Sequence, residues 1–207
     1  MRNGISDLER RKKRRRRRIQ VIVIYTAIAI GLAWFFESQA TTTMIFVRHA
    51  EKALTPIDDP SLSPAGEARA AELARQMVDA DVVAGVDAIY STPYKRTVDT
   101  AQPVADMLGL EINLYDPDDN EAVLAKILKE HKGKIILVVG HSNTLPTLIA
   151  DLGASKLVPP IAEFEYDNIY VVAIPWFGKT KTIRMRYGVP YKGEPAKASD
   201  KVMEMTN

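Results

Sequence analysis

The chain of 207 residues contains no cysteine, which excludes disulfides, thiolate metal sites and cysteine nucleophiles. Histidine is scarce: only His49, His131 and His141 are present, so any imidazole chemistry falls on these three. No internal repeat is found. A large net charge is also missing, the total being +2. That near balance hides a segregation. Residues 1–18 hold ten of the 28 basic residues against Asp7 and Glu9, a net +8. Residues 19–207 therefore carry 18 basic and 24 acidic residues, a net −6. The body of the protein is acidic and its basicity sits in a head.

Polar residues are nearly missing from the segment after that head. Ile19 to Phe36, IQVIVIYTAIAIGLAWFF, has no charge. Eighteen helical residues span about 27 Å, close to the hydrocarbon thickness of a bilayer. Trp34, Phe35 and Phe36 cluster at its far end, as aromatics do at a membrane interface. A buried core helix would show a polar flank, and this segment has none. A cleaved signal peptide competes, because Ser38-Gln39-Ala40 has the small-x-small pattern; its apolar region would exceed the usual length of about 7–15 residues. The expectation is an uncleaved single-pass anchor over 19–36. The basic run suits a nucleic-acid arm less well than the positive-inside rule, which puts residues 1–18 in the cytoplasm and the rest outside it, in the periplasm of a Gram-negative cell. No nucleic-acid partner is expected.

The remainder reads as one domain over 43–187 and a flexible tail over 188–207, rich in Pro, Lys and Gly. Thr43 to Val47 is a short apolar, β-branched run and predicts a buried strand. Ser63-Pro64 predicts a helix start, running to about Asp79. Asp87 to Ser91 is a second strand. Thr92-Pro93 repeats the cap-plus-proline signal, with a helix to Leu108 and Gly109 as its stop. A short strand over Glu111–Tyr115, a helix over Asn120–His131 and the KIILVV strand over Lys134–Val139 follow. A helix to about Asp151 then carries Pro146 in its first turn. Two late strands surround Phe177-Gly178. Strands alternating with helices predict a three-layer α/β/α sandwich with a mostly parallel sheet, preceded by one transmembrane helix.

Three strand ends carry related chemistry. The first delivers Arg48 and His49, the second leads to Arg96 in the first turn of a helix, and the KIILVV strand delivers His141. Ligands bind at the carboxyl edge of such sheets. Two guanidiniums and two imidazoles there suit a tetrahedral dianion: the former clamp oxygens, and an imidazole can attack phosphorus. Any one of them alone is ordinary. Their convergence is informative.

Val47-Arg48-His49-Ala50-Glu51-Lys52, Leu62-Ser63-Pro64-Ala65-Gly66, Ser91-Thr92-Pro93-Tyr94-Lys95-Arg96-Thr97 with Thr100-Ala101, and Val139-Gly140-His141-Ser142-Asn143 together resemble the histidine phosphatase superfamily, the phosphoglycerate mutase-like group. The resemblance covers roughly residues 43–152 and is nearest to the small phosphohistidine-phosphatase type. Ala50 stands where the family motif has Gly. The resemblance implies His49 as the nucleophile of a phosphohistidine intermediate, Arg48 and Arg96 as phosphoryl ligands, and His141 as a further phosphate donor. It implies neither metal nor other cofactor.

The proton donor to the leaving group stays open. Asp116, on the loop after the third strand, is the nearest candidate by family position, with Asp118, Asp119 and Glu51 as alternatives. Asp118-Asp119-Asn120 reads equally as a turn and helix cap, Glu51-Lys52 as a solvated pair, and His131 as an exposed residue. The function expected is a membrane-anchored, metal-independent phosphatase acting on a phosphorylated small molecule, glycolipid or phosphoprotein. A non-catalytic phospho-ligand sensor or a phosphomutase are the alternatives.

Overall fold

The computed structural model describes residues 3–38, 41–79, 85–154 and 158–193 and divides into two units, 1–40 and 41–207. The first unit is a single helix, α1 (Asn3–Ser38). Its stretch Glu9–Phe36 is long and apolar enough to cross a membrane. The side chains of residues 9–36 are exposed. Such a helix fits a lipid environment, although a signal sequence passes the same test of length and composition. Gln39 and Ala40, part of the cleavage pattern, lie outside the described residues.

The second unit runs β1 (Thr41–Arg48), α2 (Pro64–Asp79), β2 (Ala88–Ser91), α3 (Lys95–Leu108), β3 (Ile112–Leu114), α4 (Asn120–Glu130), β4 (Ile135–Gly140), α5 (Leu145–Asp151), β5 (Asn168–Pro175) and β6 (Lys181–Arg186). The sheet order is β3-β2-β4-β1-β5-β6. The first four strands are parallel, and β5 and β6 form an antiparallel hairpin on one side. Local chemistry sets several boundaries. Ser63 Oγ accepts the Gly66 amide at 3.2 Å at the start of α2. Gly109 ends α3 in the left-handed region, φ 65°, which glycine adopts without a Cβ penalty. Asp119 caps α4 through Ala122 N–H at 2.9 Å.

Period-2 alternation sorts the strand side chains into two cores. Met44, Phe46, Tyr90, Ile136 and Val138 pack with α4 and α5. Val47, Ile89, Leu137 and Val139 pack with α2 and α3 on the opposite face. The sheet is thus the middle of three layers, and the parallel strands are buried on both faces.

Register then fixes the site. Arg48 pairs with Gly140, and Ser91 with Val139. The residues that follow those strand ends, His49, His141 and Thr92, come out side by side at the carboxyl edge.

Two local expectations need correction. Thr92 is not a helix cap: α3 starts at Lys95 after Tyr94, with no side-chain cap bond, because the Thr92 hydroxyl is taken up by Thr97 and His141. His131 is half-buried rather than exposed. It ends α4 and meets the Tyr90 hydroxyl at 3.0 Å through Nε2. The start of the tail is held: Arg69 donates to Val189 O at 3.0 Å, and Tyr191 N–H donates to Asp167 at 2.9 Å. Residues 194–207 lie outside the described residues.

Candidate active site

Arg48 ends β1 and His49 follows, both nearly buried at 6% and 5% exposure. His49 N–H donates to Gly140 O at 2.9 Å, which pins it to the end of β4. Its Nδ1 lies 2.8 Å from Ala50 O. A carbonyl only accepts, so Nδ1 carries the proton and Nε2 keeps its lone pair. Burial is the main cause lowering the His49 pKa to about 3; the Ala50 carbonyl works the other way, and Arg48, His141 and Arg96 add to the lowering. The ring is therefore neutral at pH 7 in the free site, the form a nucleophile requires.

The loop behind His49 is equally determined. Ala50 N–H donates to Thr100 Oγ1 at 2.9 Å, and that hydroxyl donates to Arg96 O at 2.6 Å. Thr100 thus joins the turn after His49 to the turn that carries Arg96. The Ala50 methyl is fully buried in a small cluster with Leu62 and Ala70, so the fold accommodates the methyl where the family motif has Gly.

His141 is 8% exposed, with its ring 5.5 Å from that of His49. Thr97 donates its hydroxyl to a carbonyl, Tyr94 O at 2.7 Å or Thr92 O at 3.0 Å. Thr92, 2.8 Å away, must then donate to Thr97. Thr92 Oγ1 consequently accepts from His141 Nε2 at 2.9 Å. This relay fixes the tautomer and leaves Nδ1 of His141 as the free nitrogen. Burial first, then Arg96 and Arg48, lower the His141 pKa to about 4.

The two guanidiniums differ. Arg48 directs Nη1 at Ala162 O (2.8 Å) and Glu165 O (3.3 Å), and its face lies 4.2 Å from the centre of the Tyr166 ring. Its Nε is buried without a partner among the described residues. Burial lowers the Arg48 pKa. Arg96 stands 4.5 Å over Tyr94 and 3.8 Å from Asp59. Tyr94 also packs edge-on to His141, 5.2 Å away. Arg48, His49, Arg96 and His141 thus lie together as one cluster at the sheet edge.

The carboxylates lie elsewhere. Asp116 is exposed and its Oδ1 accepts Asp118 N–H at 2.9 Å, an Asx turn. It lines an open groove of about 500 Å³ with Pro93, Tyr94, Leu114, Tyr115, Pro117 and Asp118, which places it beside the pocket through Tyr94. Asp119 is occupied as the α4 cap. Glu51 is bound in a bidentate pair with Arg69 at 2.8–2.9 Å, so it is not a solvated rim residue. Asp59 and Tyr166 around the site have no role in the sequence reading, Thr92 reads there only as a helix cap, and Thr100 stands in a motif without a role. Among the described residues, no group of three His, Asp or Glu could hold a metal.

A sequence model of the histidine phosphatase superfamily (branch 1) matches residues 44–117. No curated protein sequence matches the chain. Solved structures share its fold. The protein histidine phosphatase SixA complexed with tungstate is 21% identical, with a TM-score of 0.56 over 70% of this chain and 96% of that one. A mycobacterial glucosyl-3-phosphoglycerate phosphatase is 13% identical, with 0.51 over 71% and 98%. A phosphoserine phosphatase mutant from Entamoeba histolytica, in complex with phosphoserine, is 18% identical, with 0.50 over 70% and 96%.

Proposed function

We propose that the chain, whose residues 44–117 match the histidine phosphatase superfamily, hydrolyses phosphomonoesters, or phosphohistidine, through a phosphoryl group carried on His49 Nε2. The carrying observation is the His49 tautomer: Nδ1–H is committed to Ala50 O, so the lone pair of Nε2 is left inside a pocket of two guanidiniums. Nε2 attacks phosphorus, the bond to the leaving ester oxygen, or to the leaving imidazole nitrogen of phosphohistidine, breaks, and an alkoxide leaving oxygen takes a proton. Water then attacks the phosphoryl group, the N–P bond breaks and phosphate departs. Arg48 and Arg96 hold the equatorial oxygens, where preorganised charge supplies most of the acceleration. His141 is neutral in the free site, so it donates to the phosphoryl group only once the incoming dianion raises its pKa.

Asp116 is assigned as the acid for alkoxide leaving groups, on the strength of its position in the groove beside Tyr94. Asp116→Asn is expected to slow alkyl phosphates by about 10²–10³-fold, within the usual range for general acids. With p-nitrophenyl phosphate, whose leaving group departs unprotonated, the loss should be small. Equal losses with both substrates would return Asp116 to its turn. The proposal as a whole is tested by turnover that vanadate inhibits and a chelator leaves unchanged. A protein that binds phosphate without turnover would be the sensor instead.

The apolar stretch of α1 is read as an uncleaved anchor, with the basic head on the cytoplasmic side and the catalytic domain outside the cytoplasm. The support is its unburied apolar surface together with the one-sided charge. Carbonate extraction should leave the full-length chain in the membrane pellet. A soluble form beginning at Thr41 would establish a cleaved signal peptide.

A further inference from the structure

Arg48 is held by a strap that the reaction itself does not require. Residues 161–167 lead into β5, which pairs with β1 from Ile169 to Pro175. Within the strap, Glu165 N–H donates to Ala162 O at 3.0 Å and Ala162 N–H donates to Glu165 Oε2 at 3.1 Å. This closed turn aims both carbonyls, Ala162 O and Glu165 O, at Arg48 Nη1. Tyr166, next in sequence, lays its ring against the guanidinium face at 4.2 Å and reaches His49, centroid to centroid, at 5.9 Å. One segment thus fixes both the direction and the plane of the guanidinium.

The strap is locked in turn by two buried acids. Glu165 is 1% exposed and Asp167 is fully buried. Arg186 on β6 donates Nη2 to Glu165 Oε1 at 3.0 Å and Nη1 to Asp167 Oδ1 at 2.7 Å. Tyr191 N–H takes the remaining Asp167 oxygen. Each carboxylate oxygen therefore has a donor, as buried charge requires.

We propose that Tyr166 and Glu165 are positioning residues, which hold the Arg48 guanidinium in the orientation that meets the phosphoryl oxygens, with Arg186 locking them in place. The proposal rests on the reading of Arg48 as a phosphoryl ligand. A planar fork recognises a tetrahedral anion only in the correct orientation. Restricting it beforehand removes an ordering cost from binding.

A double-mutant cycle on tungstate binding, measured by calorimetry with the full-length protein, tests it without needing turnover. Tyr166→Met, which keeps much of the volume and loses the ring, should weaken tungstate about tenfold, the scale of a desolvated cation–π contact. Tyr166→Phe keeps the ring and should bind as the parent does. In an Arg48→Lys background, with no guanidinium to orient, Tyr166→Met should change affinity less than twofold. Arg186→Lys, which keeps a cation beside the acids and loses the fork, should repeat the pattern and covers the case in which Tyr166→Met fails to fold. Equal losses in both backgrounds would overturn the positioning role. A parent protein that binds tungstate while the cycle is additive loses this inference alone. One that binds no tungstate loses the phosphatase reading with it.

Discussion

His49→Ala is expected to abolish the covalent intermediate and lower turnover by at least about 10⁴-fold, because it removes the imidazole proposed to attack phosphorus. A brief incubation with a phosphorylated substrate, quenched, should trap an acid-labile, base-stable phosphoenzyme in the parent chain and none in the variant. The pH dependence adds a second reading. His49 titrates at about 3 and His141 at about 4 in the free site, mainly through burial. An ordinary histidine titrates near 6.5. Both rings are thus neutral from pH 7 down to about 4, and the nucleophile is not lost by protonation in that window. The acid limb of kcat/KM, which reports free enzyme and free substrate, should then follow the second phosphate pKa of whichever substrate is used. A limb fixed near 6.5 for all substrates would place His49 protonation there and contradict the buried, neutral ring. Normal turnover by His49→Ala would end the histidine-phosphatase reading.

Arg48→Ala and Arg96→Ala should each lower kcat/KM by about 10²–10⁴-fold, roughly 3–5 kcal/mol of transition-state stabilisation, since each removes a fixed cation from the developing charge. The larger loss is expected at Arg48. Its guanidinium is almost wholly buried and its Nε has no partner among the described residues, so the phosphoryl group meets it with little screening. Arg96 is more open and shares its charge with Asp59 at 3.8 Å. Arg96→Lys should recover part of the loss as a point charge. Arg48→Lys should recover less, because an ammonium cannot satisfy two carbonyls and a phosphoryl edge in one plane. Losses under about threefold for both alanine variants would remove the arginines from the phosphoryl site.

The elements most legible beforehand were those decided by neighbouring residues. Ser63-Pro64 opens α2, Gly109 stops α3 and Asp119 caps α4, because a cap or a left-handed turn is settled within three or four positions. Thr92 looked the same and was not. Its hydroxyl had a choice between a local amide and His141, 49 positions away, and the tertiary partner won. His131 likewise looked solvated, until Tyr90 from a neighbouring strand reached it.

What the sequence by itself determined is the segregated charge, the apolar stretch over 19–36, the alternating α/β order and the strand ends at Arg48, His49 and His141. These follow from composition, periodicity and motif, which require no knowledge of partners. Only the tertiary structure decided how those ends are made into a site. The β1–β4 register sets Arg48 beside Gly140, the Ala50 carbonyl selects the His49 tautomer, and a strap more than 110 residues distant holds Arg48. Glu51 shows the limit most plainly: in the sequence it is a charge two positions after His49, and in the fold it belongs to Arg69. Hydrogen bonds and ion pairs depend on distances of a few ångströms, and the order of residues along a chain does not record which distant groups the folded sheet brings that close.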